Sequence, residues 1–156
     1  MTMNTYTCWL IEDNPADADL FKLSLEGEHE LGEIRWFDDA TRALEALEGD
    51  EVPSIIVLDL NLPGCSGHEF LERFKRSERR RVPVVVWTSS SAPEDIDRCY
   101  DLHANCCLRK PLDFAQMSEM AKTFGDFWVK TAVLSDLGAP RAQDPGIQTT
   151  RGRPVY

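Results

Sequence analysis

Short, wholly apolar runs alternate along the chain with longer segments in which apolar residues recur every three or four positions. Residues 7–11 form the first run and stop at Glu12-Asp13. Asn14-Pro15 then supplies an N-cap and a first-turn proline for a helix carrying Leu20, Phe21 and Leu23. Gly27 and Gly32 bracket a loop, and residues 34–37 predict a second strand. Asp39 opens a helix bearing Ala43, Leu44 and Leu47, and residues 55–59 predict the third strand. Ser66 with Glu69 three residues on matches a capping box ahead of Phe70, Leu71 and Phe74. Residues 82–87 are a fourth apolar run, Pro93 begins a fourth helix, residues 106–108 predict a brief fifth strand, and Asp113 with Gln116 opens a fifth helix.

Strands that are apolar throughout, rather than alternating, belong to a sheet covered on both faces, and strand-helix alternation makes that sheet parallel. The fold class is therefore α/β, a doubly wound five-stranded parallel sheet. In such sheets ligands bind beyond the carboxyl ends of the strands. That edge collects Glu12 and Asp13 after the first strand, Asp59 after the third, Thr88 and Ser89 after the fourth, and Lys110-Pro111 after the fifth.

A carboxylate closing a buried strand is costly unless something uses or neutralises its charge. Three carboxylates together repel one another and call for a cation. Hard oxygen donors without a nearby histidine or cysteine suit Mg²⁺, with Glu12, Asp13 and Asp59 as ligands. His29, His68 and His103 lie in or beside predicted helices and form no ligand cluster. A metal-bound carboxylate beside a hydroxyl and a lysine is equipment for phosphoryl transfer, with Asp59 positioned as the nucleophile.

Composition narrows the class further. With 156 residues, 42% hydrophobic, the chain suits one domain with a full core. A formal charge of -10 disfavours nucleic acid and anionic membranes as partners. No apolar stretch reaches the roughly 20 residues of a membrane helix, and the amino terminus has no signal-peptide pattern, so a cytoplasmic location is expected. The basic run Lys75, Arg76, Arg79, Arg80 and Arg81 reads as a solvated helix end. Cys8, Cys65, Cys99, Cys106 and Cys107 have no zinc or C-x-x-C spacing and read as reduced, packing thiols, the vicinal Cys106 and Cys107 included.

Between about residues 5 and 128 the chain resembles the receiver domains of two-component response regulators. The resemblance implies that Glu12 and Asp13 are the acidic metal-binding pair, Asp59 the phosphoacceptor, and Asn61 the residue whose backbone carbonyl contacts the metal. It assigns Thr88 as the phosphoryl-binding hydroxyl and Lys110 as the family lysine, with a cis peptide commonly joining that lysine to the following proline. It implies the flavodoxin-like strand order 2-1-3-4-5. Asn61 and Ser90 occupy positions that tune phosphoryl lifetime in the family. One departure is Cys107, where members commonly place Tyr or Phe as part of a conformational switch.

A narrower likeness, to phytochrome-associated single-domain response regulators, rests on three segments. They are Glu12-Asp13-Asn14-Pro15-Ala16-Asp17, Asp59-Leu60-Asn61-Leu62-Pro63 and Phe127-Trp128 with the apolar stretch after it. It implies a sensor histidine kinase of bacterial phytochrome type as phosphodonor and a homodimer through the fifth-helix side and C-terminal arm.

Only 28 of the 156 residues follow Trp128, too few for a DNA-binding output module. Phe114, Met117, Ala121, Phe124 and Trp128 read as core, and Val129, Val133, Leu134 and Leu137 as an exposed surface for another subunit. The expected division is a receiver domain over 1–137 and a flexible tail over 138–156, whose prolines and arginines show no apolar periodicity. Two alternatives stand beside the signalling reading. A phosphatase using the same aspartyl phosphate would be expected to carry an acid two residues after the nucleophile, where this chain has Asn61; a pseudo-receiver would bind partners without chemistry.

Overall fold

The central apolar runs become buried strands because both of their faces find a helix, whereas the second and fifth are only half-buried at the sheet's edges. The computed structural model describes residues 6–26 and 31–135. In chain order the elements are β1 (Tyr6–Ile11), α1 (Pro15–Leu25), β2 (Leu31–Phe37), α2 (Ala40–Leu47), β3 (Ile55–Leu58) and α3 (Gly67–Lys75). They continue with β4 (Val84–Thr88), α4 (Pro93–Asp101), β5 (Cys106–Arg109) and α5 (Phe114–Phe124), followed by a π-helical turn, Gly125–Val129. The sheet is parallel throughout, in the order β2-β1-β3-β4-β5.

The pleat sorts successive strand residues into two cores. Trp9, Ile11, Ile56, Leu58, Val84 and Val86 pack with residues of α2, α3 and Cys99 of α4. Cys8, Leu10, Ile55, Val57, Val85 and Trp87 pack with Ala18, Phe21 and Leu25 of α1 and Met117, Ala121 and Phe124 of α5. The β5 pair follows the same rule, for Cys107 borders the first core and Cys106 the second.

The helix starts obey their sequence signals. Asn14 Oδ1 accepts from Ala16 N–H at 2.9 Å, Asp39 caps α2, and Asp113 Oδ1 accepts from Gln116 N–H at 2.8 Å. At α3 the capping box is complete: Ser66 Oγ accepts from Glu69 N–H at 3.2 Å and Glu69 Oε2 accepts from Ser66 N–H at 2.8 Å.

Several expectations are corrected. Strand β2 begins at Leu31 and absorbs Gly32, because pairing with β1 supplies the backbone partners that local propensity lacks. Leu23 is 55% exposed, since Ala18, Phe21 and Leu25 form the inward stripe of α1 and position 23 falls opposite it. Phe114 is 63% exposed, in the first turn of α5 at the sheet's carboxyl edge, where no strand underlies it. Val129 is buried, not surface, because the wider π-helical turn rephases the chain after Phe124. Val133 is fully exposed as expected, while Leu137 and the tail over 138–156 lie outside the described residues. No peptide bond among the described residues is cis, so Lys110 joins Pro111 in the trans form.

Ser66→Ala removes one arm of the α3 capping box and is expected to lower unfolding free energy by about 1 kcal/mol, measured by urea denaturation.

Candidate functional site

The strand ladders carry the site residues into place. Just past the strand ends, Glu12 N–H donates to Phe37 O at 3.0 Å, Asp59 N–H to Ile11 O at 2.9 Å and Lys110 N–H to Thr88 O at 2.8 Å. These bonds extend the sheet by one residue and hold the backbones of Glu12, Asp59 and Lys110 in register. Glu12 is wholly buried, Asp59 and Thr88 nearly so, and Asp13 is exposed. A carboxylate oxygen from each of Glu12, Asp13 and Asp59 lies within 4.8 Å of the others.

Lys110 is the counter-charge. Its Nζ sits 2.6 Å from Glu12 Oε2, 2.9 Å from Asp17 Oδ2 and 3.3 Å from Asp59 Oδ2, and 4.9 Å from the centre of the Trp87 ring. Burial works against the ammonium, but hydrogen bonds to Glu12 and Asp17 and the charges of Glu12 and Asp59 prevail and raise its pKa above the ordinary lysine range. Burial pushes the Glu12 carboxyl up to about 7; the Lys110 hydrogen bond pulls it back, and the Asp59 charge adds to the rise.

Four carboxylates thus face one ammonium. Glu12 Oε1 accepts from Asn14 N–H at 3.1 Å, and the buried Oε2 is paired with Lys110 Nζ at 2.6 Å. An all-oxygen donor set in which carboxylates outnumber the one ammonium beside them fits a divalent metal ion. Glu12, Asp13 and Asp59 would hold it, supplying the positive charge that one lysine leaves short.

The loop after Asp59 is built around close contacts. Asn61 N–H donates to Asp59 Oδ1 at 3.4 Å, and Gly64 takes φ 73°, a conformation that costs glycine little. Gly67 N–H donates to Leu60 O at 3.1 Å, and a Cβ on Gly67 would lie 2.4 Å from Asp59 O. The start of α3 therefore presses on the backbone of Asp59 and admits only glycine. On the other side, Ser90 N–H donates to Thr88 Oγ1 at 3.1 Å and Ser90 Oγ to Asp95 Oδ2 at 2.6 Å, tying the Thr88 hydroxyl to α4.

All six residues expected at the site lie on this edge: Glu12, Asp13, Asp59, Asn61, Thr88 and Lys110. Sequence reading passed over Asp17, which its place in the first turn of α1 brings to Lys110, and Trp36, whose Nε1–H donates to Glu12 O at 2.7 Å. Asp17 was legible in principle, as an acid three residues past the Asn14 cap; Trp36 gave no signal apart from its strand.

Comparison with known proteins agrees with this geometry. The response regulator receiver domain family model matches residues 8–122. The chain belongs to that family. It is 39% identical over 126 residues to a probable methanogenesis regulatory protein, FilR2, of Methanothrix harundinacea, covering 77% of this chain and 81% of that one. It is 35% identical over 135 residues to the response regulator Rcp1 of Synechocystis, covering 80% and 90%. Among solved structures, the phosphorylated cyanobacterial phytochrome response regulator RcpA matches with TM-score 0.79 and 34% identity, over 83% of this chain and 98% of that one. The Mn²⁺-bound form of Rcp1 matches with TM-score 0.78 and 32% identity, over 83% and 99%.

Gly67→Ala forces the Asp59 backbone to move and is expected to destabilise the fold by roughly 1–3 kcal/mol and to weaken divalent-ion binding, read by denaturation and by tryptophan fluorescence titration. The raised Glu12 pKa gives a pH signature. In metal-free protein the stability Glu12 contributes is fully present below its ordinary value of 4.5 and is lost as pH rises through about 7. A metal requires the ionised carboxylate, so the gain in melting temperature on adding a divalent ion is expected to grow from about pH 5.5 to about pH 8, measured by thermal unfolding with and without the ion.

Proposed function

We propose that Asp59 accepts a phosphoryl group from a sensor histidine kinase, and that the donor is of bacterial phytochrome type. The observation that carries this reading is the Asp59 carboxylate, 3% exposed, with two further acids in metal-ligand reach and the Lys110 ammonium 3.3 Å away. Glu12, Asp13, Asp59 and the Asn61 backbone carbonyl would hold Mg²⁺, which when bound would supply positive charge against the phosphoryl oxygens and the repelling carboxylates. An Asp59 carboxylate oxygen attacks phosphorus as the P–N bond to the donor's phosphohistidine breaks and its imidazole leaves, the Thr88 hydroxyl donates to one phosphoryl oxygen, and Lys110 transfers its ion pairing from Glu12 and Asp17 toward the new charge of about -1.5 to -2.

Such a transfer changes what α4 and α5 rest on, because Thr88 is tied to α4 through Ser90 and Asp95, and Lys110 leads into α5. The output is a changed surface on that side of the sheet. There Leu112 at 97%, Phe114 at 63% and Val133 at 99% exposure are apolar groups suited to a second copy, supporting a homodimer through the fifth-helix side and C-terminal arm. Similarity to Rcp1 and RcpA, together with the apolar segment after Phe127-Trp128, supports the phytochrome assignment. We take residues 1–137 as the receiver unit and the cytoplasm as its location; no described helix is long and apolar enough to cross a membrane.

Incubation with a small acyl phosphate and Mg²⁺ is expected to add one phosphoryl group per chain to the wild type and none to Asp59→Asn, measured by intact mass; equal labelling of the variant would overturn the assignment. A phytochrome-type kinase is expected to phosphorylate the chain at a rate that changes between red and far-red light.

A further inference from the structure

Lys110 reaches four groups with one ammonium, and they divide by what else could use them. Glu12 Oε2 at 2.6 Å and Asp59 Oδ2 at 3.3 Å belong to acids that, with Asp13, lie in metal-ligand reach of one another. Asp17 Oδ2 at 2.9 Å and the Trp87 ring, its centre 4.9 Å from Nζ, stand outside that set. A divalent ion would compete with Lys110 for the first two. It does not compete for the ring, because a hard cation binds oxygen and an indole face offers it no lone pair.

Trp87 is an odd choice for a plain core position. Val84, Val85 and Val86 precede it on β4 and fill their places with small apolar side chains. Trp87 is 2% exposed, yet its Nε1–H has no hydrogen-bond partner among the described residues. A buried indole usually finds one, and going without carries a cost that an apolar side chain avoids. The ring is fixed instead by packing, 5.2 Å from Phe21 of α1 at an interplanar angle of 50°, and Phe21 in turn lies 5.8 Å from Phe124 of α5. What this position gains is an indole face, the most cation-attracting of the aromatic surfaces, beneath an ammonium whose side chain is only 11% exposed. Asp17 is held by its place in the first turn of α1, where its N–H donates to Asn14 Oδ1 at 3.4 Å.

We propose that Trp87 is a positioning residue for Lys110: with Asp17 it holds the ammonium beside the site when a divalent ion takes the oxygens of Glu12 and Asp59. The inference rests on the metal reading of that acid cluster. An ammonium and a metal ion repel each other across shared carboxylate oxygens, so metal entry loosens Lys110 from Glu12 and Asp59. In metal-free protein three carboxylates hold the ammonium and the ring adds a fourth contact. With the metal bound, Asp17 and the ring are the partners left to it. The ring therefore contributes more in the metal-bound state than in the free one, and only that difference can alter metal affinity. Held there, Lys110 stays beside Asp59 without blocking the acids.

The test measures Mg²⁺ binding to the full chain by titration calorimetry in wild type, Trp87→Leu and Trp87→Phe, and again in each combined with Lys110→Met. Trp87→Leu is expected to weaken Mg²⁺ binding roughly fivefold when Lys110 is present and to leave it unchanged in the Lys110→Met background. Trp87→Phe, which keeps a weaker ring face, is expected to fall between wild type and Trp87→Leu. A side chain acting through packing alone would weaken binding equally in both backgrounds, and that result would overturn the proposal. A second measurement does not need the Lys110→Met chain to fold. By nuclear magnetic resonance the Lys110 ε-methylene protons are expected upfield of the ordinary lysine position, through the Trp87 ring current, in wild type but not in Trp87→Leu, and to stay upfield when Mg²⁺ is added. Their return to the ordinary position on adding Mg²⁺ would overturn the proposal whatever the affinities. Failure of the wild type to bind Mg²⁺ would sink the metal reading and this inference with it, whereas binding followed by either adverse result sinks this inference alone. Neither measurement depends on phosphoryl transfer.

Discussion

The ion cluster at the carboxyl edge is the constraint around which this molecule is arranged. Lys110 contacts Glu12, Asp17 and Asp59 in a site where the first and last carboxylates are almost without solvent. Buried charge is tolerated only when paired, and removing one partner leaves an uncompensated ion. The cluster therefore ties β1, α1, β3 and β5 together through side chains that contribute little packing of their own. It also leaves negative charge in excess, which is why the same residues suit a divalent cation.

Precision in that cluster comes from the backbone. Strand ladders continue one residue beyond their ends at Glu12, Asp59 and Lys110, and the Gly67 start of α3 clamps the Asp59 carbonyl from outside. A longer side chain at position 67 would push the acid out of register with its partners. The carboxylates are held by hydrogen-bonded main chain on one side and by a sterically restricted helix start on the other. That arrangement keeps repelling groups close at modest cost, because little of their placement is left to flexible side chains.

The opposite end of the pathway is softer. Where relatives commonly carry an aromatic ring, this chain has Cys107, and the space is shared with Tyr100 of α4, whose hydroxyl meets the β5 backbone. Thr88 borders that pocket and is tied through Ser90 to α4. Charge at Asp59 and the packing of Tyr100 and Cys107 thus meet on Thr88. Half-buried residues around a cavity can repack with smaller losses than the closely filled cores on either sheet face.

Apolar runs and their punctuation determined the alternation of strands and helices, because a strand covered on both faces must be apolar throughout and caps must satisfy helix ends locally. They likewise determined the carboxyl-edge acids, the hydroxyl and the lysine, since polar residues that close buried strands stand out against their neighbours. The sequence did not reveal the inward course of Val129, the exposure of Leu23 and Phe114 or the Asp17 contact. Each of these depends on the angle at which a helix meets the sheet or on which face of a strand a residue takes. Only tertiary structure decides such questions, because residues far apart in sequence become neighbours only once the helices have packed.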